Sequence, residues 1–337
     1  MRRKLLSHCL AAGLFAAAIM PVTAEAQGAP MVIKLATATL NDAQHEWLKR
    51  FAAMIDKDSN GRIKAQVFPA SQLGSIPRMI EQTQFGSIQC WVGPPEFLSG
   101  VDMRYEVVSA PGLFKDIAHA NRALKDPAFD KAILALGANK GLKGVGIFVS
   151  APESIISRKP VHDLAGFSGM KIRVLAAPMQ MEQIRALGAT PVPMSLGEVL
   201  PALQQGALDA VMGDTPVFTD LRYYSVAKYA VETEHALVSS IAVFSKKWFD
   251  GLPPDLQKIA LTDAQKVTDN IYPFAYAEYT QSFKTWTGGG GTVIRFDPKE
   301  QAKMMALLEP VGGKVAAKTP GEKELWDLLQ AAAKRTE

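Results

Sequence analysis

The feature that most constrains the fold is a regular alternation of short apolar segments with longer segments of helical periodicity. Residues 32–36, 63–68 and 87–92 are short and apolar, as expected for strands, while residues 42–56 and 78–85 repeat apolar side chains at helical spacing. Strands that alternate with helices are typical of an α/β fold, in which the helices connect parallel strands. We therefore predict an α/β fold with a parallel sheet.

The same alternation is clearest in residues 169–212. Residues 171–175 are predicted to form a strand, and the helix after it ends at Gly188. Ser195 and Glu198 have the spacing of a capping box, in which each side chain accepts from a backbone N–H at the start of the same helix. The segment is thus predicted as strand, helix, helix, strand.

A much longer helical pattern begins at Pro254 and extends to about Trp286. Pro273 lies within it, and a proline inside a helix removes one backbone hydrogen bond and clashes with the preceding turn. We therefore predict one long helix that is kinked at Pro273. The glycines at 288–291 end the pattern, a strand is predicted at 293–296, and the remainder of the chain is helical.

The first 26 residues have the features of a cleavable secretory signal peptide. Three basic residues at positions 2–4 precede an apolar run at 10–22, and alanines flank the expected cleavage site. No later stretch approaches the roughly 20 continuous apolar residues that a membrane helix requires. We expect export to the periplasm and a mature chain that begins near Gln27. A lipid anchor at Cys9 is the alternative, which its position before the apolar run disfavours.

Cysteine content and charge limit what can stabilise the chain and what it can bind. Cleavage would remove one of the two cysteines and leave Cys90 as the only thiol, so no internal disulfide is expected. Stability must then come from a hydrophobic core, and a chain of this length more often forms two domains than one. The formal net charge of +4 is not concentrated in basic runs, so nucleic acid is not an expected partner.

The sequence lacks the residue patterns of common catalytic and metal sites. The histidines are isolated from one another, and His45-Glu46 is followed by Lys49 where a zinc-protease motif requires a second histidine. The glycines at 288–291 follow a helix and precede a strand, which is the reverse of a phosphate-binding loop. Cys90 lies in a predicted strand without a charged neighbour. We predict no catalytic residues, no metal site and no cofactor.

Four stretches of the chain carry a family pattern in their order and spacing. They are Phe68-Pro69-Ala70-Ser71-Gln72-Leu73-Gly74; Gly169-Met170-Lys171-Ile172-Arg173-Val174; Ala186-Leu187-Gly188-Ala189-Thr190-Pro191-Val192-Pro193-Met194-Ser195 with Glu198, Val199, Gln205, Leu208 and Asp209; and Ser245-Lys246-Lys247-Trp248-Phe249 with Leu252-Pro253-Pro254-Asp255-Leu256. With these stretches the chain resembles the DctP-like periplasmic binding proteins of tripartite ATP-independent periplasmic (TRAP) transporters.

The resemblance implies a periplasmic-binding-protein architecture. Two α/β lobes would be joined by crossing strands and braced by a long helix, with one ligand in the cleft between them. The expected lobes are residues 27–150 with 239–278, and residues 151–238 with 279–337. The resemblance also implies delivery of the ligand to a sodium-coupled membrane permease with a small and a large subunit, without ATP hydrolysis.

The family's carboxylate-binding arginine matches Arg173. A planar guanidinium offers two parallel donors to a carboxylate, and the residue lies near the carboxyl end of a predicted parallel strand, where open α/β sheets bind ligands. A small organic acid is therefore the expected ligand. A surface ion pair is the alternative role for Arg173, which the motif around it disfavours.

Positions near Arg173 depart from the pattern of many acid-binding relatives. Glu153 stands where many of them have a second arginine. The segment 213–218 follows a strand end where Asn-Pro is common, and Asp214 or Thr215 is expected to take over the polar contact with the ligand. A carboxylate at Glu153 would repel a second ligand carboxylate and favour a hydroxyl or amine donor. We therefore expect a monocarboxylate that is hydroxylated or has an apolar body. A solvated hinge position is the alternative for Glu153.

The other candidate ligand contacts are mostly apolar. They are Thr39, Trp91, Pro94, Phe97 and Phe218. For the aromatic residues, packing in the core is an equal alternative. Two further functions are compatible with the sequence: a sensory adaptor that binds the same ligand and docks on a receptor kinase, and a periplasmic enzyme that acts on an organic acid.

Overall fold

The structure, a computed structural model, describes residues 29–337, and the predicted signal peptide lies outside them. Ten strands within these residues are joined into one extended sheet. In chain order the strands are β1 (Met31–Ala36), β2 (Ile63–Phe68), β3 (Cys90–Gly93), β4 (Leu142–Ser157), β5 (Lys171–Val174), β6 (Thr190–Pro193), β7 (Ala210–Asp214), β8 (Tyr229–Glu232), β9 (Leu237–Ser245) and β10 (Thr292–Arg295).

The sheet has parallel strands on both sides of an antiparallel centre. Its order is β2, β1, β3, β9, β4, β7, β5 and β6, while β8 pairs with β4 and β10 pairs with β8. β1 is parallel to β2 and β3, and β5 is parallel to β6 and β7. β9 pairs antiparallel with β3 on one side and with β4 on the other, and β4 pairs antiparallel with β7. The α/β fold is thus confirmed, but the prediction of a parallel sheet is wrong at the centre.

The helices begin with the capping residues that their sequences supply. Aspartate carboxylates accept a first-turn N–H at five helix starts, at Asp42, Asp116, Asp126, Asp214 and Asp297. The helices are α1 (Ala43–Asp58), α2 (Ile76–Phe85), α3 (Ile117–Leu124), α4 (Pro127–Leu134), α5 (Pro178–Ala186), α6 (Leu196–Gln204), α7 (Thr215–Asp220), α8 (Lys246–Asp250), α9 (Pro254–Asn270), α10 (Tyr272–Gly288), α11 (Pro298–Ala316) and α12 (Pro320–Arg335).

The long strand β4 connects two lobes. Up to Pro152 it pairs with β9, and from Glu153 onward it pairs with β7 and then also with β8. The first lobe is therefore built on β2, β1, β3 and β9, and the second on β7, β5, β6, β8 and β10. The change of partner falls close to the lobe boundary predicted between residues 150 and 151. The full set of predicted lobe bounds stays a prediction.

The predicted long helix is two helices that meet at Ile271. α9 ends at Asn270 and α10 begins at Tyr272, with Pro273 in the first turn of α10, where the absence of an N–H removes no helical hydrogen bond. α9 packs on α1 of the first lobe, and α10 packs on α7 and β10 of the second. Together α9 and α10 brace both lobes. The long helix is interrupted between them, however, and is not the single kinked helix that was predicted.

The capping box predicted at Ser195 and Glu198 is wrong. Ser195 does precede α6, but its hydroxyl makes no bond to the N-terminus of that helix. It accepts instead, at 3.2 Å, from the backbone N–H of Ile76, the first residue of α2 in the other lobe. Ser195 therefore joins the two lobes across the cleft.

The edge strand β6 is missing from the sequence prediction because two of its four residues are prolines, Pro191 and Pro193. Prolines are tolerated at this position since β6 lies at the end of the sheet and pairs with β5 alone. The unit around residues 169–212 is thus strand, helix, strand, helix, strand.

Aromatic side chains fill the core of the first lobe. Trp47 stacks on Phe51, with 5.2 Å between ring centroids, and Phe51 packs against Phe244 of β9. Cys90 is buried in β3, and burial raises the pKa of its thiol.

In the part of the chain that the structure describes, none of the helices combines the length and apolar character needed to cross a membrane.

Candidate ligand-binding site

A partly open cavity lies between the two lobes at the carboxyl ends of strands from both. Its empty volume, with the open solvent at its mouth included, is about 450 Å³. Open α/β sheets bind ligands at this end of their strands, where loops rather than strand neighbours surround the space. The residues that line it are Ala38, Thr39, Gln44, Ile76, Trp91, Val92, Gly93, Pro94, Phe97, Arg173, Leu175, Leu196, Gly213, Asp214, Val217, Phe218 and Val238.

Arg173 reaches the cavity from β5 of the second lobe. Its Nε donates to the carbonyl of Met194 at 2.9 Å and its Nη1 to the carbonyl of Met212 at 3.3 Å, so the strands on either side hold the guanidinium in place. Its Cζ lies 5.9 Å from the ring centroid of Phe97, which belongs to the first lobe. We find no protein acceptor for Nη2 among residues 29–337. This nitrogen is therefore available to a ligand.

The charge of Arg173 has no close counterion. The side chain is 3% exposed, and none of the ion pairs formed within residues 29–337 includes it. Burial lowers the pKa of the guanidinium to about 10, against the favourable charges of Tyr223, Asp214 and Glu153. The group stays cationic at neutral pH. A buried cation without a partner is costly unless a ligand supplies the missing anion.

Asp214 is the second charged group in the cavity wall. It ends β7 and caps α7, because its Oδ1 accepts from the N–H of Val217 at 2.9 Å. Burial, together with the charge of Asp42, raises the pKa of this carboxyl to about 7. A carboxyl in this state can accept a hydrogen bond from a ligand hydroxyl when it is ionised and can donate one when it is protonated.

Two neutral polar side chains of the first lobe complete the polar part of the wall. Thr39 donates from Oγ1 to the carboxylate of Asp42 at 2.7 Å. Gln44 accepts at Oε1 from the hydroxyl of Thr37 at 3.1 Å, which fixes the orientation of its amide and leaves the NH₂ group without a protein acceptor among the described residues. The wall thus has a free amide donor from the first lobe and a free guanidinium nitrogen from the second.

Two aromatic walls depend on glycines beside them. The ring of Trp91 lies across Gly93, two residues later on the same face of β3, and a Cβ at Gly93 would come within 2.4 Å of that ring. In the second lobe, a Cβ at Gly213 would lie 2.8 Å from the ring of Phe218. Each glycine lets a large ring lie flat on the backbone and form part of the cavity wall.

Glu153 does not line the cavity. Its side chain is fully buried, its Oε1 accepts from Nε2 of Gln180 at 2.5 Å, and its Oε2 lies 3.1 Å from Nε2 of His235. The amide of Gln180 in turn accepts from the N–H of Leu175, which does line the cavity, at 2.9 Å. The structure therefore places Glu153 behind the wall, where it supports the end of β5. The solvated hinge position is also excluded.

Thr215 lies away from the cavity as well. Its hydroxyl donates to the hydroxyl of Ser154 at 3.0 Å, and the residue is buried between α7 and β4. The structure thus brings seven of the nine predicted contacts together around one space. They are Thr39, Trp91, Pro94, Phe97, Arg173, Asp214 and Phe218.

Sequence reasoning missed several residues of the wall. Gln44 lies within the pattern of α1, and Ile76, Leu175, Leu196 and Val238 look like ordinary core positions. Only the arrangement of the lobes brings these five residues to the cavity. Within residues 29–337, no group of three or more His, Cys, Asp or Glu side chains is placed to hold a metal ion.

Two α/β lobes that enclose one cavity, with a buried arginine at a strand end, define the protein as a solute-binding protein. Residues 36–319 match the sequence model of the DctP family, described as bacterial extracellular solute-binding protein, family 7. The chain therefore belongs to this family. Its members are periplasmic proteins of TRAP transport systems and not enzymes, so the predicted family, class of function and two-lobe fold are confirmed.

Known proteins with similar sequence or structure bind different acids. The chain is 30% identical to the 2,3-diketo-L-gulonate-binding periplasmic protein YiaO of Escherichia coli K12, over 67% of this chain and 69% of that one. It is 26% identical to the C4-dicarboxylate-binding periplasmic protein DctP of Vibrio cholerae, over 95% and 96%. A TRAP periplasmic solute-binding protein from Desulfovibrio salexigens, crystallised with orotic acid, superposes with a TM-score of 0.85 at 25% identity, over 91% and 99%.

Proposed function

We propose that this protein is the periplasmic receptor for a small monocarboxylate and delivers it to a TRAP permease. One observation carries the choice of an acid: Arg173 is buried at the cavity wall with a free Nη2 and no counterion. A ligand carboxylate would supply the missing charge and the missing acceptor. Such charge-assisted bonds fix the orientation of the ligand as well as its affinity.

The rest of the wall favours one carboxylate rather than two. Arg173 is the one cationic side chain among the lining residues, so a second ligand carboxylate would find no cation in the wall. Asp214, Thr39 and Gln44 suit a ligand with at least one hydroxyl group, while Trp91 and Phe218 suit an apolar or ring-shaped body. 2,3-Diketo-L-gulonate and orotate, which the relatives above bind, each carry a single carboxylate. The C4-dicarboxylate relative is the counterexample.

The cellular role follows from the family and from the N-terminus. We propose that residues 1–26 direct export and are removed, so that the mature receptor acts in the periplasm. Its partner would be a sodium-coupled permease with a small and a large membrane subunit, and transport would need no ATP hydrolysis. Family membership and the basic and apolar pattern of the first residues support this assignment.

A thermal-shift screen tests the proposed ligand class, because a ligand that binds only the folded state raises the melting temperature. The panel pairs hydroxylated and ring-shaped monocarboxylates with diacids of the same carbon skeleton. We expect the largest shifts from monocarboxylates, and stoichiometric binding without turnover. A larger shift from the diacid in each pair would contradict the proposal.

A further inference from the structure

Behind the ligand cavity, three carboxylates from three parts of the fold surround one small space. Asp42 lies at the start of α1 in the first lobe, Asp214 lies at the end of β7 in the second, and Glu278 lies on the bracing helix α10. The space between them does not admit a water molecule. We call these three residues the acidic cluster. The cluster spans the interface between the lobes.

Asp42 has an oxygen without a partner in this space. Its Oδ1 accepts from the hydroxyl of Thr39 at 2.7 Å and from the N–H of His45 at 3.0 Å. Its Oδ2 is buried and has no hydrogen-bond partner among the described residues. The residue as a whole is only 2% exposed. An ionised carboxylate is costly in such a place, and a proton on Oδ2 removes that charge.

The surroundings of the acidic cluster are themselves acidic. None of the ion pairs formed within residues 29–337 includes a member of the cluster. The other ionisable groups that act on it are Asp220 of α7 and Glu153 of β4, both acids, and Arg173 of β5, which attracts Asp214 from the side of the cavity. The acidic cluster therefore contains no cation that would offset the repulsion between its carboxylates.

The expected protonation follows from this geometry. Burial raises the pKa of Asp42 to about 6. Burial and the charge of Asp42 raise the pKa of Asp214 to about 7, and burial with the charges of Asp220, Asp42 and Asp214 raises that of Glu278 to about 8. At neutral pH the cluster therefore holds protons that hydrated carboxyls, with pKa values of about 4, would have lost.

We propose that closure of the lobes over the ligand takes up protons at the acidic cluster, so that the receptor binds its acid more tightly as the pH falls. The inference rests on the proposed function, since it requires that ligand binding closes the cleft. Closure brings Asp42 of one lobe against Asp214 of the other and expels the water between them. Both residues also reach the ligand cavity, Asp214 directly and Asp42 through its bond to Thr39.

The sign of the effect is fixed by linkage. The closed form holds these carboxyls at a higher pKa than the hydrated open form, so it binds more protons at a given pH. The form that binds more protons is favoured as the pH falls, here between about pH 8 and pH 4. Uptake of one proton makes the affinity about tenfold tighter per pH unit. The ligand carboxylate stays ionised above about pH 5.5, which leaves the window from 5.5 to 8 for measurement.

Calorimetry with an acid found in the screen measures the proton uptake directly. At pH 7, binding heats in phosphate and in Tris differ by the number of protons taken up times the difference in buffer ionisation enthalpy. We expect about one proton for the wild type, a smaller uptake for Asp42→Asn, because the charge of Asp42 helps to raise the pKa values of Asp214 and Glu278, and an unchanged value for the exposed control Glu324→Gln. Asparagine keeps the Oδ1 that caps α1. Equal heats in both buffers for the wild type, or equal uptake in Asp42→Asn, would overturn the proposal.

A measurement without ligand keeps this proposal separate from the proposed function. If no acid binds, the proposed function fails, and the melting temperatures of the ligand-free wild type and Asp42→Asn decide on the cluster. The hydrated open form keeps these carboxyls near their ordinary pKa values, so the difference in melting temperature between the ligand-free wild type and Asp42→Asn should stay constant between pH 5.5 and 8.5. A difference that grows across this range would show that the raised pKa values exist without ligand-driven closure, and would overturn the proposal.

Discussion

The two lobes contribute different kinds of surface to the cavity. The second lobe provides both charged side chains of the wall, Arg173 and Asp214, and fixes each through backbone groups of neighbouring strands or of its own helix. The first lobe provides neutral polar groups, Thr39 and Gln44, and the ring of Trp91. If the proposed function holds, the second lobe would bind the ligand's acid group and the first lobe would mainly contact the body of the ligand.

This division suggests an order of events. A charged ligand gains most from the lobe that carries the counterion, and steering by charge acts before close contact is made. The apolar wall of the first lobe contributes when the cleft closes and removes water from the body of the ligand. We therefore expect substitutions in the second lobe to decide whether an acid binds. Substitutions in the first lobe and at the contact between lobes should decide how long it stays.

Removal of the guanidinium is the strongest test of the role of the second lobe. We expect Arg173→Ala to weaken binding of the acid at least about 100-fold, since loss of one partner of a buried charged pair costs on the order of 3 kcal/mol. Arg173→Lys should restore part of the affinity, because it keeps the charge without the planar fork. Titration calorimetry measures both variants.

The control for this test is Arg185→Ala, which removes an exposed arginine on α5 that pairs with Glu182. It should bind like the wild type. Circular dichroism must show that Arg173→Ala is folded, since relief of an unpaired buried charge should not unfold the ligand-free protein. Unchanged affinity in folded Arg173→Ala would remove the assigned role of the second lobe.

The asymmetry of the lobes was partly predictable from the sequence. The periodicity of residues 169–212 and the family resemblance predicted Arg173 near a strand end, and the resemblance also gave Pro94 and Phe97 as candidate contacts. These positions were predictable because each depends on contacts between residues that are close together in the sequence, or on a motif that covers the whole strand. The antiparallel pairing of β4 with β9 has no such local signal, since paired residues such as Phe148 and Ser240 are about 90 residues apart.

The hydrogen-bond partners of Glu153 and Ser195 could not be predicted from the sequence. A glutamate in place of an arginine suggested a group that faces the ligand, but Gln180 donates to Glu153 behind the wall, where His235 also lies close to its carboxylate. The Ser195 hydroxyl had a plausible partner within its own helix, and it bonds across the cleft instead. In both cases a polar side chain has several acceptable partners. Only the packing of distant segments decides which one it takes.

A smaller effect is expected from the first lobe, at Gly93. In Gly93→Ala the new methyl group would lie 2.4 Å from the ring of Trp91, so the ring must move into the cavity or the strand must shift. Crowding of this kind costs about 1–3 kcal/mol, and we expect a lower melting temperature and roughly tenfold weaker binding. Gly100→Ala is the matched control, because a Cβ there has no atom within 4 Å. Equal behaviour of the two variants would show that the Trp91 wall is not needed.

The smallest effect is expected at the contact between the lobes, in Ser195→Ala. This change removes the acceptor for the N–H of Ile76, and a hydrogen bond of this kind contributes about 1 kcal/mol. Because the hydroxyl makes no bond within its own helix, the ligand-free protein should keep its melting temperature, while the ligand dissociates about fivefold faster. Rapid-mixing fluorescence measures the dissociation rate. Ser225→Ala, which removes a hydroxyl that bonds Arg222 within the second lobe, should leave the rate unchanged. If both variants release the ligand at the wild-type rate, the contact at Ser195 does not hold the cleft closed.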